Sequence, residues 1–162
     1  MKTGMVIADA GPVFSLAIID KLNLLEQLFN GIAIPEAVWQ EITLDKTTLW
    51  YSQIELFFQS KVHPIAGFNE LMFTMDKGES ESVLLYKELN ADYLLVDDNK
   101  ARKIAENLGV NCIGTLGLLV AAKQKKLITE LKPLFETFLK NKRYYSPDLL
   151  NEILIKQGEV SL

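Results

Sequence analysis

The chain has 162 residues, 49% of them hydrophobic and 23% charged, with a formal net charge of −4. That composition fits a globular chain with a sizeable core and excludes a disordered polyelectrolyte, while one cysteine (Cys112) and one histidine (His63) exclude an internal disulfide and a Cys/His zinc centre. The acidic balance gives no general attraction to nucleic acid, so contact with it requires a local basic patch or a bound cation.

No apolar run approaches the roughly 20 residues that span a bilayer. The start, MKTGMVIADA, has an apolar stretch interrupted by Asp9, which is unlike a signal peptide. These features, with no repeat or Gly/Ser/Pro-rich linker, predict a soluble cytoplasmic protein forming one domain over 1–162.

Met5-Val6-Ile7-Ala8-Asp9 is a short apolar run ending in an acid, as expected of a strand covered on both faces. Pro12 suits the first turn of a helix running through Phe14, Leu16 and Ile19. A second helix is predicted through Leu24, Leu25, Leu28 and Phe29, ended by Asn30-Gly31. Ile32-Ala33-Ile34 is the next strand, and Pro35 opens a helix with Val38, Trp39 and Ile42 at helical spacing. A further helix is expected within Thr48–Phe58, and a weak edge strand at Val62–Ile65.

Lys77-Gly78-Glu79 begins a helix lined by Val83, Leu84, Tyr86 and Leu89. Asp92–Asp97 is an apolar strand ending in acids. A helix through Ala101, Ile104, Ala105 and Leu108 follows, closed by Gly109. Val110–Ile113 is a strand, and Thr115 reads as the cap of a helix from Leu116 to Lys125. Helices near Thr129–Asn141 and Pro147–Gln157 complete the chain. Alternating strands and helices predict an α/β fold: a parallel sheet with helices on both faces.

The acids fall where open α/β sheets build their sites, outside the carboxyl ends of strands. Asp9 ends the first strand, and Asp97 with Asp98 ends a later one. Glu79 and Glu81 lie at the start of the helix before that later strand, and Glu41 lies in the helix after the second strand. Each also has a purely structural use: acids at helix N-termini favour the dipole, and Asp97 or Asp98 suits an N-cap. Asp9 is different, because an acid following a buried apolar strand needs a partner. Carboxylates held together repel unless a cation neutralises them, and the suitable cation is a hard, oxygen-seeking ion such as Mg²⁺ or Mn²⁺. Such an ion equips an acidic chain to hydrolyse a phosphodiester.

The ordered segments VIADAGPVFSL, IPEAVWQEI, KGESESVLLYKEL, LLVDDNKARKIAENLGV and IGTLGLLVAAKQKKLI, with the closing YYSPDLLNEILIKQGE, resemble one branch of the PIN-domain family. This branch is the uncharacterised, predicted nucleic-acid-binding group related to VapC-type ribonuclease toxins. The resemblance runs from Val6 to Gly158. It implies a three-layer α/β/α fold with strand order 3-2-1-4-5 and C-terminal helices. It implies Mg²⁺ or Mn²⁺ and endonucleolytic cleavage of RNA, in single-stranded form, as the toxin-like half of a pair with a small antitoxin-like protein. By position, the catalytic set is Asp9, Glu41, Glu79 (or Glu81) and Asp97, and the metal set is Asp9, Glu79, Asp97 and Asp98, with Asn99 an alternative in the last turn. Two positions depart from the toxin pattern. Ala10 and Gly11 stand where a hydroxyl residue commonly follows the first acid, and Asp97 stands where toxins carry Thr or Ser.

Lys100 and Arg102 directly follow the acidic turn and suit phosphate binding, with Lys103 on the same helix; a solvated helix face is the alternative. Lys140, Lys142, Arg143, Tyr144 and Tyr145 mix basic and aromatic residues, as single-strand binding surfaces do, and equally suit a partly buried linker. Gly109–Thr115 lacks the lysine of a phosphate loop. The apolar faces of Pro35–Ile42 and of the second helix suit a homodimer or the core equally. The leading expectation is thus a metal-dependent endoribonuclease. The alternative is a catalytically inactive PIN-fold module that binds nucleic acid or a small protein. A receiver-like phosphoacceptor stands third, because no lysine follows the last strand.

Overall fold

Val6, Ile7 and Ala8 are fully buried in the strand Met5–Ala8 (β1), as the unbroken apolar run requires. In the computed structural model, which describes residues 2–67, 70–143 and 145–162, β1 is the middle strand of a parallel sheet. The others are β2 (Gly31–Pro35), β3 (Val62–His63), β4 (Tyr93–Leu95) and β5 (Cys112–Ile113), in the order β3-β2-β1-β4-β5. Ile7 pairs with Ala33 of β2 on one side and Leu94 of β4 on the other. This is the 3-2-1-4-5 order that the resemblance implies.

Helices flank the sheet: α1 (Ala10–Ile18), α2 (Asn23–Leu28), α3 (Glu36–Ile42), α4 (Tyr51–Phe58), α5 (Lys77–Glu88), α6 (Asn99–Asn107), α7 (Thr115–Gln124), α8 (Lys132–Lys140) and α9 (Pro147–Lys156). The period-2 alternation of β1 divides the core in two. Val6 and Ala8 face a cluster containing Leu16, Leu25, Phe58, Leu119, Phe135 and Leu154. Ile7 faces a second cluster with Val83 and Leu85 of α5 and Ala101 and Ala105 of α6. The result is a three-layer α/β/α fold. Among the described residues no helix is long and apolar enough to cross a membrane.

The first helix begins at Ala10, with Asp9 in the N-cap position, which puts Pro12 in its first turn as expected. Pro12 fits there, because the first four helical N–H groups have no intrahelical acceptor to lose. Other boundaries differ from those expected. Gly114, not Thr115, occupies the N-cap of α7, and Thr115 is the first helical residue. The eighth helix starts at Lys132 rather than Thr129. Its first amides are capped from a distance: the Glu159 carboxylate accepts from Leu131 N at 2.8 Å and Lys132 N at 2.9 Å. Those bonds and the Lys123 ammonium hold the Glu159 carboxyl below the usual range, against its partial burial. The apolar faces of α2 and α3 lie in the core, with Leu25 and Val38 fully buried, so neither is a free face for a second copy.

Candidate functional site: a carboxylate cluster at the sheet's switch point

Chain connections from the sheet part in opposite directions at β1, since β2 lies on one side and β4 on the other. Asp9 leaves β1 at its carboxyl end, its backbone N–H donating to the Leu95 carbonyl of β4 at 2.9 Å. This is the crevice where such sheets hold ligands. The Asp9 side chain makes no capping bond to α1. Its pKa is pushed up to about 7, chiefly by withdrawal from water and further by the charges of Asp76, Glu41 and Asp97; the Ala10 amide opposes this.

The N-terminus of α5 supplies the facing wall. Asp76 is the N-cap, accepting from Glu79 N at 2.7 Å, while Glu79 Oε1 accepts from Asp76 N at 3.3 Å, a reciprocal capping box. Asp76 was missed in the sequence, although the Asp-x-x-Glu spacing before an apolar helix is the signature that would have found it. The other Glu79 oxygen, Oε2, is buried without a hydrogen-bond partner among the described residues. Burial raises the Glu79 pKa to about 7, helped by the hydrogen bond with Asp76, the Asp76 charge and Asp9. Gly78 brings α5 close to α3: a β-carbon there would lie 3.4 Å from Glu41 Oε1 and 3.6 Å from Asp76 Oδ1. Glu41 is itself raised by burial and by Asp76. Asp9, Glu41, Asp76 and Glu79 therefore act on one another electrostatically, and no cationic side chain lies among the causes of their shifts.

Asp97 borders the same crevice but is fully engaged. Thr115 donates through its backbone N–H to Oδ1 at 2.8 Å and through its hydroxyl to Oδ2 at 2.7 Å. The Tyr145 hydroxyl donates to Oδ2 at 2.8 Å and also contacts the Ser15 hydroxyl at 2.8 Å. Arg143 extends this network, bonding Ser15 Oγ and the Gly11 carbonyl, each at 3.0 Å. Burial and the Asp97 charge push the Tyr145 phenol up to about 12. Arg143 and Tyr145, weighed in the sequence as a binding surface, thus serve as a partly buried strap; Tyr144 lies outside the described residues.

The model of the PIN-domain family matches residues 5–159. The chain belongs to the PIN-domain family. No curated protein matches it. Membership makes this a nuclease-related, nucleic-acid-related module without specifying its activity.

PIN domains generally use divalent metals, and the donors of this PIN domain suit one chemically: all are carboxylate oxygens, and Glu79 Oε2 is buried and unsatisfied. Among the described residues, however, no group of three Asp, Glu, His or Cys side chains converges to enclose an ion. Mg²⁺ does not require such an enclosure, since it is commonly held by one or two carboxylates with water filling the remaining positions.

The other predicted residues divide between two grooves. Asp98 caps α6, its Oδ2 accepting from Ala101 N at 2.8 Å. It also lines a groove of about 250 Å³ with Asp76, Glu79 and Lys100. Asp97 and Arg102 line a different groove of about 580 Å³. Arg102 donates to Glu106 Oε1 at 3.0 Å, an i,i+4 pair on α6. Glu81, the alternative to Glu79, is buried elsewhere, accepting from Ala37 N at the start of α3 at 3.1 Å.

Proposed function

We propose that this PIN domain is a Mg²⁺- or Mn²⁺-dependent endoribonuclease acting on single-stranded RNA. The observation that carries the reading is the excess of carboxylates at the switch point. Asp9 and Glu79, both pushed up to about 7, sit with Asp76 and Glu41, and no cationic side chain among the described residues is a cause of their shifts. Asp9 and Glu79 would hold the ion, while Asp97, through its charge on Asp9, and Asp98, at the rim of the Glu79 groove, add to the negative field. The chemistry a divalent ion supplies when bound is activation of a water and neutralisation of the charge that builds on the phosphoryl oxygens. Glu41, its pKa raised by burial and by the Asp76 charge, would accept a proton at its carboxylate. Lys100, in the groove with Glu79 and Asp98, holds a neighbouring phosphate as a point charge.

A second reading is a non-catalytic PIN module that binds nucleic acid or a small antitoxin-like protein. The three hydrogen bonds on Asp97 favour it, because they occupy a carboxylate that the resemblance assigns to the metal. The deciding experiment incubates purified protein with single-stranded RNA and Mn²⁺. Cleavage that disappears with chelator and with Asp9→Asn supports the nuclease. RNA retained intact by protein that binds it supports the module.

A further inference from the structure

The larger groove beside Asp97 has no part in the chemistry above. It measures about 580 Å³ and lies between the α6–β5 side and helices α7 and α9. Its lining is polar at Asn99 and Arg102 and apolar at Leu149 and Ile153. The Asn99 amide has no hydrogen-bond partner among the described residues, and neither does Arg102 Nη1.

Two glycines stand at the α7 edge of the groove, for different reasons. At Gly114 a β-carbon would lie 3.3 Å from both Arg102 Nη1 and Asp97 Oδ1, so a side chain there would make both groups give by a few tenths of an ångström. At Gly117 nothing demands glycine. Its backbone is outside the left-handed region, and a β-carbon would meet only Ile113 Cγ1, at an ordinary 3.8 Å. Glycine within a helix weakens the helix. Gly117 lines the groove, so a long side chain there would take up part of it.

Resting on the nuclease reading, we propose that this groove receives an unpaired nucleobase of the RNA strand whose phosphate lies at the carboxylate cluster. A nucleobase presents a flat apolar face to Leu149 and Ile153 and a hydrogen-bonding edge to Asn99 and Arg102, which is the pattern of this lining. Asp97 joins the two places, since it lines the groove and acts electrostatically on Asp9. Occupation of the groove sets which base lies beside the cut phosphate.

The test is Gly117→Leu, which fills the groove with a better helix former, alongside Asn99→Ala, which removes the polar edge without adding bulk. Affinity for a labelled single-stranded oligoribonucleotide of mixed sequence is measured by anisotropy, and Mn²⁺ binding is measured separately. The expected result is RNA affinity reduced about ten-fold or more by Gly117→Leu and less by Asn99→Ala, with Mn²⁺ binding unchanged in Gly117→Leu. Wild-type protein that binds RNA while both variants bind it equally well overturns the groove alone. Loss of a co-purifying protein from Gly117→Leu, with RNA affinity intact, overturns it in favour of a peptide occupant. Wild-type protein that binds neither Mn²⁺ nor RNA overturns both this proposal and the nuclease reading.

Discussion

Asp9 and Asp97 leave neighbouring strands of one sheet at the same end, yet their surroundings are opposite. Asp97 receives three hydrogen bonds, two from Thr115 and one from Tyr145. Asp9 faces Asp76, Glu41 and Asp97 itself, and its carboxyl rises to about 7. One acid is satisfied by the fold, and the other is left in a state the fold alone does not stabilise. Buried polar groups are ordinarily paired, so the contrast separates a carboxylate that organises the structure from one that, on the nuclease reading, holds the ion.

Breaking the satisfied side should have the largest effect on stability. Asp97→Ala strands Thr115 N–H and the buried Thr115 hydroxyl, leaves the Tyr145 phenol with Ser15 alone, and should cost about 3 kcal/mol in denaturant unfolding. A loss under 1 kcal/mol would mean the network is incidental.

Breaking the unsatisfied side should work in the opposite direction. Asp9→Asn is expected to stabilise the metal-free protein by about 2 kcal/mol at pH 8, about half of what a shift of this size carries at about 1.4 kcal/mol per unit, because the buried amide keeps part of the desolvation cost. Its folded-state pKa of about 7 lies above the ordinary 3.8. The folded chain therefore keeps a proton that the unfolded chain has lost across that window. Stability from this group is fully present below the ordinary value and is lost as pH rises through about 7; Glu79, also near 7, acts in the same sense. Thermal melts of metal-free wild type should thus show it more stable near pH 5 than near pH 8 relative to Asp9→Asn, and parallel pH profiles would refute the shift.

Smaller effects sharpen the contrast. Tyr145→Phe removes one of three donors to Asp97 and should cost about 1 kcal/mol, measurable in urea. Lys100→Ala, an exposed change, should alter stability by no more than about 0.5 kcal/mol. On the nuclease reading it should weaken RNA binding evenly across sequences and reduce the salt slope by about one phosphate contact.

Much of this was legible in the residues. The apolar runs at Met5–Ala8 and within Asp92–Asp97, each followed by an acid, mark two inner strands and the end of the sheet where the site lies. The resemblance carried the strand order. What could not be read was long-range pairing. Ser15 and Tyr145 are 130 residues apart, and Glu159 caps a helix 28 residues before it; no local propensity encodes either. Asp76 is another matter, because its capping spacing with Glu79 was visible and went unused. The open choice between Glu79 and Glu81 turned on helix geometry. Two residues apart, they face different neighbours, one toward Asp76 and Asp9 and the other toward α3.

The most direct trial is a calorimetric Mn²⁺ titration of the wild-type protein at pH 7, repeated in buffers of different ionisation enthalpy so that released protons are counted. Carboxyls that hold protons near neutrality because they are buried, and further because other acids stand beside them, must give them up to the ion. Binding with release of about one proton, abolished by Asp9→Asn, is the expected outcome. Absence of binding, or binding that releases no proton and survives Asp9→Asn, would contradict a cation-seeking cluster at the end of β1.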